Sequence, residues 1–206
     1  MKVRARRTLE NTLRRWGFYR IAGVDEVGRG CLAGPVVAAA VVLDPDRHVP
    51  GLCDSKMIAA AERERLYGAI TQKAVSWSVA AAQPLEIDDL NIHRASLEAM
   101  RRAVMALVPL PDLVLVDAFL IPGLSMAQQG VIHGDRVCTA IAAASIVAKV
   151  TRDREMLAHH VVDPRYGYDR HKGYATSEHL AALARHGRSP LHRRSFRPVS
   201  WIDTIN

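Results

Sequence analysis

Cysteine, aromatic residues and long apolar runs are all scarce in this chain of 206 residues. The three cysteines, Cys31, Cys53 and Cys138, are widely spaced and form no C-x-x-C pair, which argues against a zinc or redox site and against a disulfide framework. The H-E-x-x-H motif of zinc hydrolases is also missing. The longest strongly apolar run, residues 36–43, is too short to cross a bilayer, and no apolar stretch resembling a secretory signal follows the basic N-terminus. We therefore expect a cytoplasmic protein with reduced thiols and no membrane association.

The net charge of +7 is concentrated at the two ends of the chain. Residues 1–20 carry a net charge of +6 and residues 185–197 carry +5, whereas residues 21–184 carry −3. A mildly acidic body between two basic ends indicates a polyanionic partner such as a nucleic acid. Solvated basic tails without a partner are the alternative, and charge alone does not separate the two explanations.

The apolar pattern predicts an α/β fold. Three strand-like segments, residues 19–25, 35–43 and 74–82, could form an antiparallel meander. After them, helical periodicity alternates with further strand-like runs. The predicted helices are 86–107, 137–159 and 177–186, and the predicted later strands are 113–116 and 126–132. Because aromatic residues make up only 5% of the chain, we expect alanine and valine to do much of the packing between the sheet and its helices.

Acidic residues follow three of the predicted strands. Asp25 and Glu26 close the first strand, Asp117 closes residues 113–116, and Asp135 comes just after the next strand. Taken singly, Asp117 could be a turn residue and Asp135 could cap the helix that follows it. As a group, carboxylates set within apolar sequence would repel one another and lose hydration, and a divalent cation relieves both costs.

Sites in open α/β sheets gather at the carboxyl ends of the strands, so we expect these four carboxylates to lie together. A donor set made only of oxygen favours Mg²⁺ or Mn²⁺ over Zn²⁺. Such ions suit phosphodiester hydrolysis, because they activate a water molecule and stabilise a leaving oxygen. The sequence thus indicates a metal-dependent nuclease, with Asp25, Glu26, Asp117 and Asp135 as both metal ligands and catalytic residues.

Functions of two other classes remain open at this point. A non-catalytic nucleic-acid binder would explain the basic ends, but four clustered acids would repel phosphate unless a metal ion intervened. A small-molecule phosphohydrolase using the same ions would explain the acids but not the basic ends.

A Gly28-Arg29-Gly30 turn follows the acidic pair directly. It is not a dinucleotide-binding fingerprint, because that motif needs G-x-G-x-x-G leading into a helix. Here the third glycine comes one position late and strand-like sequence follows. A turn whose backbone can approach a substrate sugar or phosphate fits better, and a plain tight turn between two strands is the alternative.

These residues resemble the opening motif of the ribonuclease HII family, A-G-V-D-E-V-G-R-G at residues 22–30 followed by L-A-G-P-V at 32–36. Further landmarks of the family occur in the same order, so the resemblance covers about residues 20–198. They are D-S-K at 54–56, L-N-I at 90–92, V-D at 116–117, G-D at 134–135, A-A-S-I-V-A-K-V-T-R-D at 143–153, H-K-G-Y at 171–174 and H-R-R-S-F at 192–196. The first motif and the 143–153 block are highly specific.

The resemblance implies a ribonuclease H-like fold, which is a mixed five-stranded sheet flanked by helices with a small helical C-terminal part. It implies that Asp25, Glu26, Asp117 and Asp135 hold Mg²⁺ or Mn²⁺, as two ions when substrate is bound. The substrates it implies are RNA–DNA hybrids and duplex DNA containing single ribonucleotides. Cleavage would fall on the 5′ side of the ribonucleotide and leave 3′-hydroxyl and 5′-phosphate ends.

By the same resemblance, the turn at residues 28–30 reads the ribose 2′-hydroxyl, which distinguishes RNA from DNA, and Tyr174 packs on the sugar of the next deoxyribonucleotide. On the long helix, Ser145, Lys149 and Arg152 are spaced at i, i+4 and i+7, so they share a face that could bind phosphates. An ordinary surface pair between Lys149 and Asp153 is the alternative. The predicted substrate-binding residues are Gly28, Arg29, Gly30, Lys56, Ser145, Lys149, Arg152 and Tyr174.

Two positions depart from the family pattern, because His133 stands where a lysine is common and Ala142 where a serine is common. Both departures concern local substrate contacts and leave the metal ligands intact. We expect a basic N-terminal extension over residues 1–18, a catalytic domain over 19–198 that includes the helical C-terminal part, and a tail over 199–206. We expect a monomer, and a replication or repair partner is left open.

Overall fold

The computed structural model describes residue 5 and residues 7–202, and its centre is a five-stranded sheet of strand order β3-β2-β1-β4-β5. The strands are β1 (Ile21–Val27), β2 (Val36–Val42), β3 (Ser76–Ala82), β4 (Leu113–Asp117) and β5 (Ala127–Val131). Strands β1, β2 and β3 pair antiparallel in succession, which confirms the predicted meander. Strand β4 pairs parallel with β1, and β5 pairs parallel with β4, so the sheet is mixed.

Helices cover both faces of this sheet. They are α1 (Thr8–Arg15), α2 (Ala60–Lys73), α3 (Pro84–Leu90), α4 (Ile92–Met105), α5 (Gly134–Val137), α6 (Thr139–Val162), α7 (Tyr168–His171), α8 (Ser177–His186) and α9 (Val199–Ile202), with 3₁₀ turns at Ser55–Met57 and Pro164–Tyr166. No helix in the described part of the chain is both long enough and apolar enough to span a membrane.

The single helix predicted over residues 86–107 is wrong, because two helices, α3 and α4, occupy that stretch. They are separated at Asn91, whose φ of 68° lies in the left-handed region that asparagine tolerates. The Asn91 side chain accepts hydrogen bonds from the N–H groups of His93 and Arg94 and thereby caps α4. Both helices pack on the same core cluster, which explains why they look like one periodic run.

Helix α2 has no counterpart among the predicted elements. Only Leu66 and Ile70 on it are buried, so its apolar stripe is too narrow for periodicity to reveal. The predicted helix over residues 137–159 becomes α6, and the one-turn helix α5 precedes it. Asp135 lies inside α5 and does not cap α6, whose N-cap residue is Cys138.

Small residues in the strands let the helices approach the sheet closely. Alternate residues of β2 face opposite layers: Ala38 and Ala40 cluster with α3 and α4, whereas Ala39 clusters with α2 and α6. The closest approach is at Gly23 of β1, where a Cβ atom would lie 2.0 Å from the carbonyl carbon of Ala140 in α6. Glycine at position 23 therefore lets α6 begin directly against β1, close to the acidic end of that strand.

Helix α1 is attached to the core through the buried side chain of Glu10. The Glu10 Oε1 atom accepts hydrogen bonds from the Thr139 hydroxyl at 2.5 Å and from the Ala140 N–H at 3.0 Å, both at the start of α6. Helix α6 has no side-chain cap at Cys138, so Glu10 supplies both an acceptor and a negative charge at its N-terminus.

Residues 8–15, which fall within the predicted basic extension over residues 1–18, therefore form a helix that packs against the folded body. Leu13 of α1 is buried in a cluster with Ile21, Leu115 and Ile141. The basic residues Lys2, Arg4 and Arg6, which contribute to the predicted extension, lie outside the described residues.

Replacing Glu10 with alanine should lower the free energy of unfolding by about 1–3 kcal/mol, because it leaves buried donors at the start of α6 without their acceptor. Urea denaturation followed by circular dichroism measures this. Glu64→Ala is the control: it also removes a carboxylate, but the ion pair of Glu64 with Arg154 is about half exposed, so we expect a loss below about 1 kcal/mol. Equally small losses in both variants would contradict the capping role of Glu10.

Candidate active site

Parallel strands bring acidic residues to one edge of the sheet. Val24 of β1 pairs with Val116 of β4, so Asp25 and Asp117, each one residue further on, are neighbours on strands roughly 4.8 Å apart. Asp117 Oδ1 also accepts a hydrogen bond from the N–H of Gly134 at 2.8 Å, which holds α5 and its Asp135 beside this edge. With Glu26 next to Asp25, the structure places all four predicted carboxylates at this edge of the sheet.

The electrostatics of this acidic cluster favour a bound cation. Burial raises the pKa of Asp25 well above its ordinary value, and the charges of Glu26 and Asp117 raise it further. Burial also raises the pKa of Glu26, with Arg29 opposing the shift and Asp117 adding to it, and raises the pKa of Asp135, with Asp54 and Asp117 adding to that shift. Like charges are therefore held together where hydration is poor, and a divalent ion would remove this penalty.

The donor set fits a hard divalent ion such as Mg²⁺ or Mn²⁺, because all four side chains offer only oxygen. Within residues 5 and 7–202, no three acidic, histidine or cysteine side chains are arranged so that they could hold a metal ion by themselves. Mg²⁺ in particular is usually held by one or two carboxylates together with waters and substrate phosphates. An acidic cluster with open positions therefore fits an ion that is shared with a nucleic-acid backbone.

A cleft of about 240 Å³ runs along this edge of the sheet. It is lined by Asp25, Glu26, Val27, Gly28, Arg29, Gly30, Lys56, Asp117 and Tyr174. Three of the four carboxylates thus share one cleft with the glycine-containing turn, an exposed lysine and a tyrosine, while Asp135 is buried next to Asp117.

The turn that follows β1 presents its backbone and one guanidinium to the cleft. Gly28 has a φ of 94°, and a Cβ atom there would lie 2.3 Å from the Arg152 Nε atom, so the position requires glycine. The Arg29 side chain is partly exposed, pairs with Glu26 at 3.3 Å and lies 5.6 Å from the centroid of the Phe119 ring. The turn therefore forms a wall of the cleft and is more than a connection between two strands.

The prediction that Arg152 binds a phosphate is wrong, because its side chain is fully buried. Its guanidinium donates hydrogen bonds to the carbonyl oxygens of Pro35, Lys172 and Ala33 at 2.8, 2.8 and 3.1 Å. Helical spacing correctly places Arg152 on the same face of α6 as Ser145 and Lys149. It does not show that segments distant in sequence cover the Arg152 side chain and exclude solvent from it. Arg152 instead ties the connection between β1 and β2 to the segment before Tyr174.

Lys149 and Ser145 also have partners within the protein. The Lys149 Nζ atom pairs with Asp153 at 2.7 Å, as the alternative for this helix face required, and lies 5.6 Å from the centroid of the Tyr174 ring. Ser145 is buried, where it hydrogen-bonds the Asp25 carboxylate and lies 2.9 Å from the Ser55 hydroxyl. Ser145 therefore orients a carboxylate of the cluster, which differs from the phosphate contact that we predicted.

Asp54 is a site residue that the sequence analysis missed. It is buried, its charge raises the pKa of Asp135, and its carboxylate lies 3.4 Å from the Arg136 guanidinium. It also accepts a hydrogen bond from the N–H of Lys56, which fixes the turn that carries this exposed lysine. The only sequence signal was its place in the D-S-K landmark.

Tyr174 is 37% exposed and faces the cleft, so it is not a core aromatic residue. Its N–H donates to the His171 carbonyl oxygen, and its own carbonyl lies 2.9 Å from the His179 Nδ1 atom. Residues 31 and 174 form a β-bridge, which joins the Tyr174 segment to the exit of the Gly28–Gly30 turn. The helical C-terminal part thus delivers Tyr174 next to the turn.

The two departures from the family pattern lie in different surroundings. His133 is exposed, has a φ of 54° and immediately precedes α5. Ala142 is fully buried in the cluster between the sheet, α2 and α6. The methyl group of Ala142 therefore packs in the core, whereas the His133 side chain is free to face solvent beside the acidic cluster.

Comparison with known proteins agrees with this architecture. The family model described as "Ribonuclease HII" matches residues 22–202. The ribonuclease HII of Ralstonia nicotianae is 53% identical over 182 residues, covering 87% of this chain and 77% of that protein. The ribonuclease HII of Bordetella pertussis is 54% identical over 179 residues, covering 87% and 89% of the two chains.

Solved structures show the same fold. The ribonuclease H2 of Pyrococcus horikoshii superposes with a TM-score of 0.75 at 25% identity, covering 90% of this chain and 98% of that chain. A ribonuclease HII of Archaeoglobus fulgidus, solved in complex with PCNA, gives 0.71 at 26% identity and covers 86% and 95% of the two chains. Bst-RNase HIII, solved in complex with Mn²⁺, gives 0.70 at 20% identity and covers 93% and 71%. This chain, with its ribonuclease H-like fold, belongs to the ribonuclease HII family and is an endoribonuclease, a hydrolase of phosphodiester bonds.

Proposed function

We propose that this endoribonuclease hydrolyses the RNA strand of RNA–DNA hybrids and also cuts duplex DNA on the 5′ side of a single ribonucleotide, acting as a monomer. One observation carries the proposal: three carboxylates of the acidic cluster and the Gly28–Gly30 turn line the same cleft. A substrate in this cleft would place one phosphodiester against the carboxylates while the backbone of the turn contacts the adjoining ribose.

In this proposal, Asp25, Glu26, Asp117 and Asp135 hold Mg²⁺ or Mn²⁺, as two ions when substrate is bound. Such ions, when bound, activate the attacking water and stabilise the leaving oxygen, which gives 3′-hydroxyl and 5′-phosphate ends. The oxygen-only donors and the raised pKa of Asp25 support this assignment. Mn²⁺ bound to Bst-RNase HIII, which has the same fold, is compatible with it.

The other residues of the cleft position the substrate. Backbone N–H groups of the turn would hydrogen-bond the 2′-hydroxyl, which is present only in RNA. Arg29 and Lys56 on the cleft wall would neutralise phosphates that flank the cut. The exposed ring of Tyr174 would contact the sugar on the 3′ side of the ribonucleotide.

The proposal is tested with a labelled DNA duplex that carries one ribonucleotide, incubated with Mg²⁺ or Mn²⁺. We expect a single cut on the 5′ side of the ribonucleotide and none in an all-DNA duplex of the same sequence. Cleavage of a uniform RNA–DNA hybrid without a cut at the single ribonucleotide would contradict the proposed substrate range. A cut in the all-DNA duplex would contradict the proposed requirement for a ribonucleotide.

A further inference from the structure

A buried arginine, more than 160 residues further along the chain, holds the Gly28–Gly30 turn from the interior of the protein. Arg193 is fully buried. Its guanidinium donates to the carbonyl oxygen of Gly28 at 2.7 Å, of Arg29 at 2.9 Å and of Gly34 at 3.0 Å. No carboxylate forms an ion pair with it in the described part of the chain, so its hydrogen bonds are directed at backbone.

Anchoring these carbonyls also fixes the direction of the neighbouring N–H groups. In a planar trans peptide, the carbonyl and the following N–H point in opposite directions. Because the carbonyls of Gly28 and Arg29 point inward at Arg193, the N–H groups of Arg29 and Gly30 point outward. Neither N–H has a hydrogen-bond acceptor among residues 5 and 7–202, and both residues line the cleft.

Arg193 is itself held rigidly from several sides. Its N–H donates to the Leu32 carbonyl oxygen, and its guanidinium lies 5.0 Å from the centroid of the Phe196 ring. Asp88 of α3 accepts hydrogen bonds from the N–H groups of the next two residues, both at 2.9 Å. The side chain therefore has little freedom, and the turn that it anchors is ordered before substrate arrives.

We infer that Arg193 is a positioning residue that aims the N–H groups of Arg29 and Gly30 at the ribose 2′-hydroxyl and thereby sets the preference for RNA over DNA. The inference rests on the proposed function, since it assigns an origin to the ribose recognition proposed there. Lysine cannot replace arginine in this role, because one ammonium group cannot bond three carbonyls in the fixed planar geometry of a guanidinium.

The test measures binding preference rather than turnover. The ratio of the dissociation constants for an all-DNA duplex and a single-ribonucleotide duplex is measured in Mg²⁺ in an Asp117→Asn background, which slows cleavage of the bound substrate. We expect Arg193→Lys to reduce this ratio by about tenfold, the equivalent of one or two hydrogen bonds, while affinity for the all-DNA duplex changes little. Val104→Ala, a fully buried substitution in the core cluster that packs α4 on the sheet, controls for lost stability and should keep the ratio.

Different failures point to different claims. If the Asp117→Asn protein with Arg193 intact shows no preference for the single-ribonucleotide duplex, the proposed function and this inference are both wrong. If that preference exists and Arg193→Lys keeps it, the inference alone is overturned. If Arg193→Lys does not fold, amide NMR of the protein with Arg193 intact provides a second test. The N–H resonances of Arg29 and Gly30 should shift when the single-ribonucleotide duplex is added and should not shift with the all-DNA duplex. Equal shifts with the two duplexes would overturn the inference.

Discussion

Asp117→Asn should lower the cleavage rate by at least about a hundredfold while leaving the fold intact. Mutating a residue that only hydrogen-bonds a metal ligand typically lowers activity or metal affinity roughly 10–100-fold. Removing the negative charge of a proposed ligand itself should therefore lower activity at least as much. Asparagine keeps the size of the side chain, and its carbonyl oxygen can still accept the hydrogen bond from Gly134. Steady-state cleavage of a single-ribonucleotide duplex in Mg²⁺ measures the loss.

Thermal unfolding separates this effect from damage to the fold. Without metal, the variant should be at least as stable as the parent, because the charge of Asp117 raises the pKa of buried Asp25 and its removal relieves repulsion. Adding Mg²⁺ or Mn²⁺ should raise the melting temperature of the parent and raise that of the variant less, since only the parent keeps all four proposed ligands.

Asp112→Asn is the matched control, since Asp112 lies just before β4 and Asp117 ends it. The Asp112 carboxylate accepts hydrogen bonds from the N–H groups of Tyr19 and Arg20 and pairs with the Arg20 side chain, far from the cleft. We expect Asp112→Asn to lose some stability and keep its activity. Near-normal cleavage by Asp117→Asn would show that the assignment of the acidic cluster is wrong.

The acidic cluster could be anticipated from sequence because its signals are local. Asp25 and Glu26 lie near the end of β1 and Asp117 ends β4, and the parallel pairing of these strands brings the three acids to one edge. Asp135 is the exception, because it lies in α5, four residues after the polar strand β5. Errors of one or two residues in the predicted strand bounds do not change which edge of the sheet carries these acids.

Contacts between distant segments could not be anticipated in the same way. Spacing along α6 places Arg152 near Ser145, but only the fold shows that residues 33–35 and 172 cover its guanidinium. Glu10 looks like one acid in a basic extension until α6 is placed against it. The sequence showed Arg193 only as part of a motif, because its three acceptors, the carbonyls of Gly28, Arg29 and Gly34, lie near the other end of the chain.

Tyr174→Ala should distinguish recognition of an RNA-to-DNA junction from recognition of RNA in general. The exposed Tyr174 ring faces the cleft beside the turn that we propose reads the 2′-hydroxyl. On a single-ribonucleotide duplex, the next sugar is a deoxyribose, whose less polar surface suits contact with an aromatic ring. On a uniform RNA–DNA hybrid, the next sugar carries a 2′-hydroxyl, so the ring contributes less.

We therefore expect Tyr174→Ala to lose about 10- to 100-fold in kcat/KM on the single-ribonucleotide duplex, taking the loss of an aromatic stack on a base as a guide for this sugar contact. On the uniform hybrid we expect a loss of only a few-fold. Tyr174→Phe keeps the ring and should stay close to the parent on both substrates. Because the side chain is 37% exposed, the melting temperature of Tyr174→Ala should change little.

The competing explanation is structural. The segment around Tyr174 is tied down by His171, His179 and the bridge to Cys31, and the ring lies within 6 Å of the Lys149 and Arg152 cations. Loss of the ring could loosen this segment and impair both substrates alike. Because the backbone ties do not involve the ring, we expect them to persist in the alanine variant. Equal losses on the two substrates, together with a lower melting temperature, would assign Tyr174 to the scaffold and leave the Gly28–Gly30 turn as the sole reader of the ribonucleotide in this proposal.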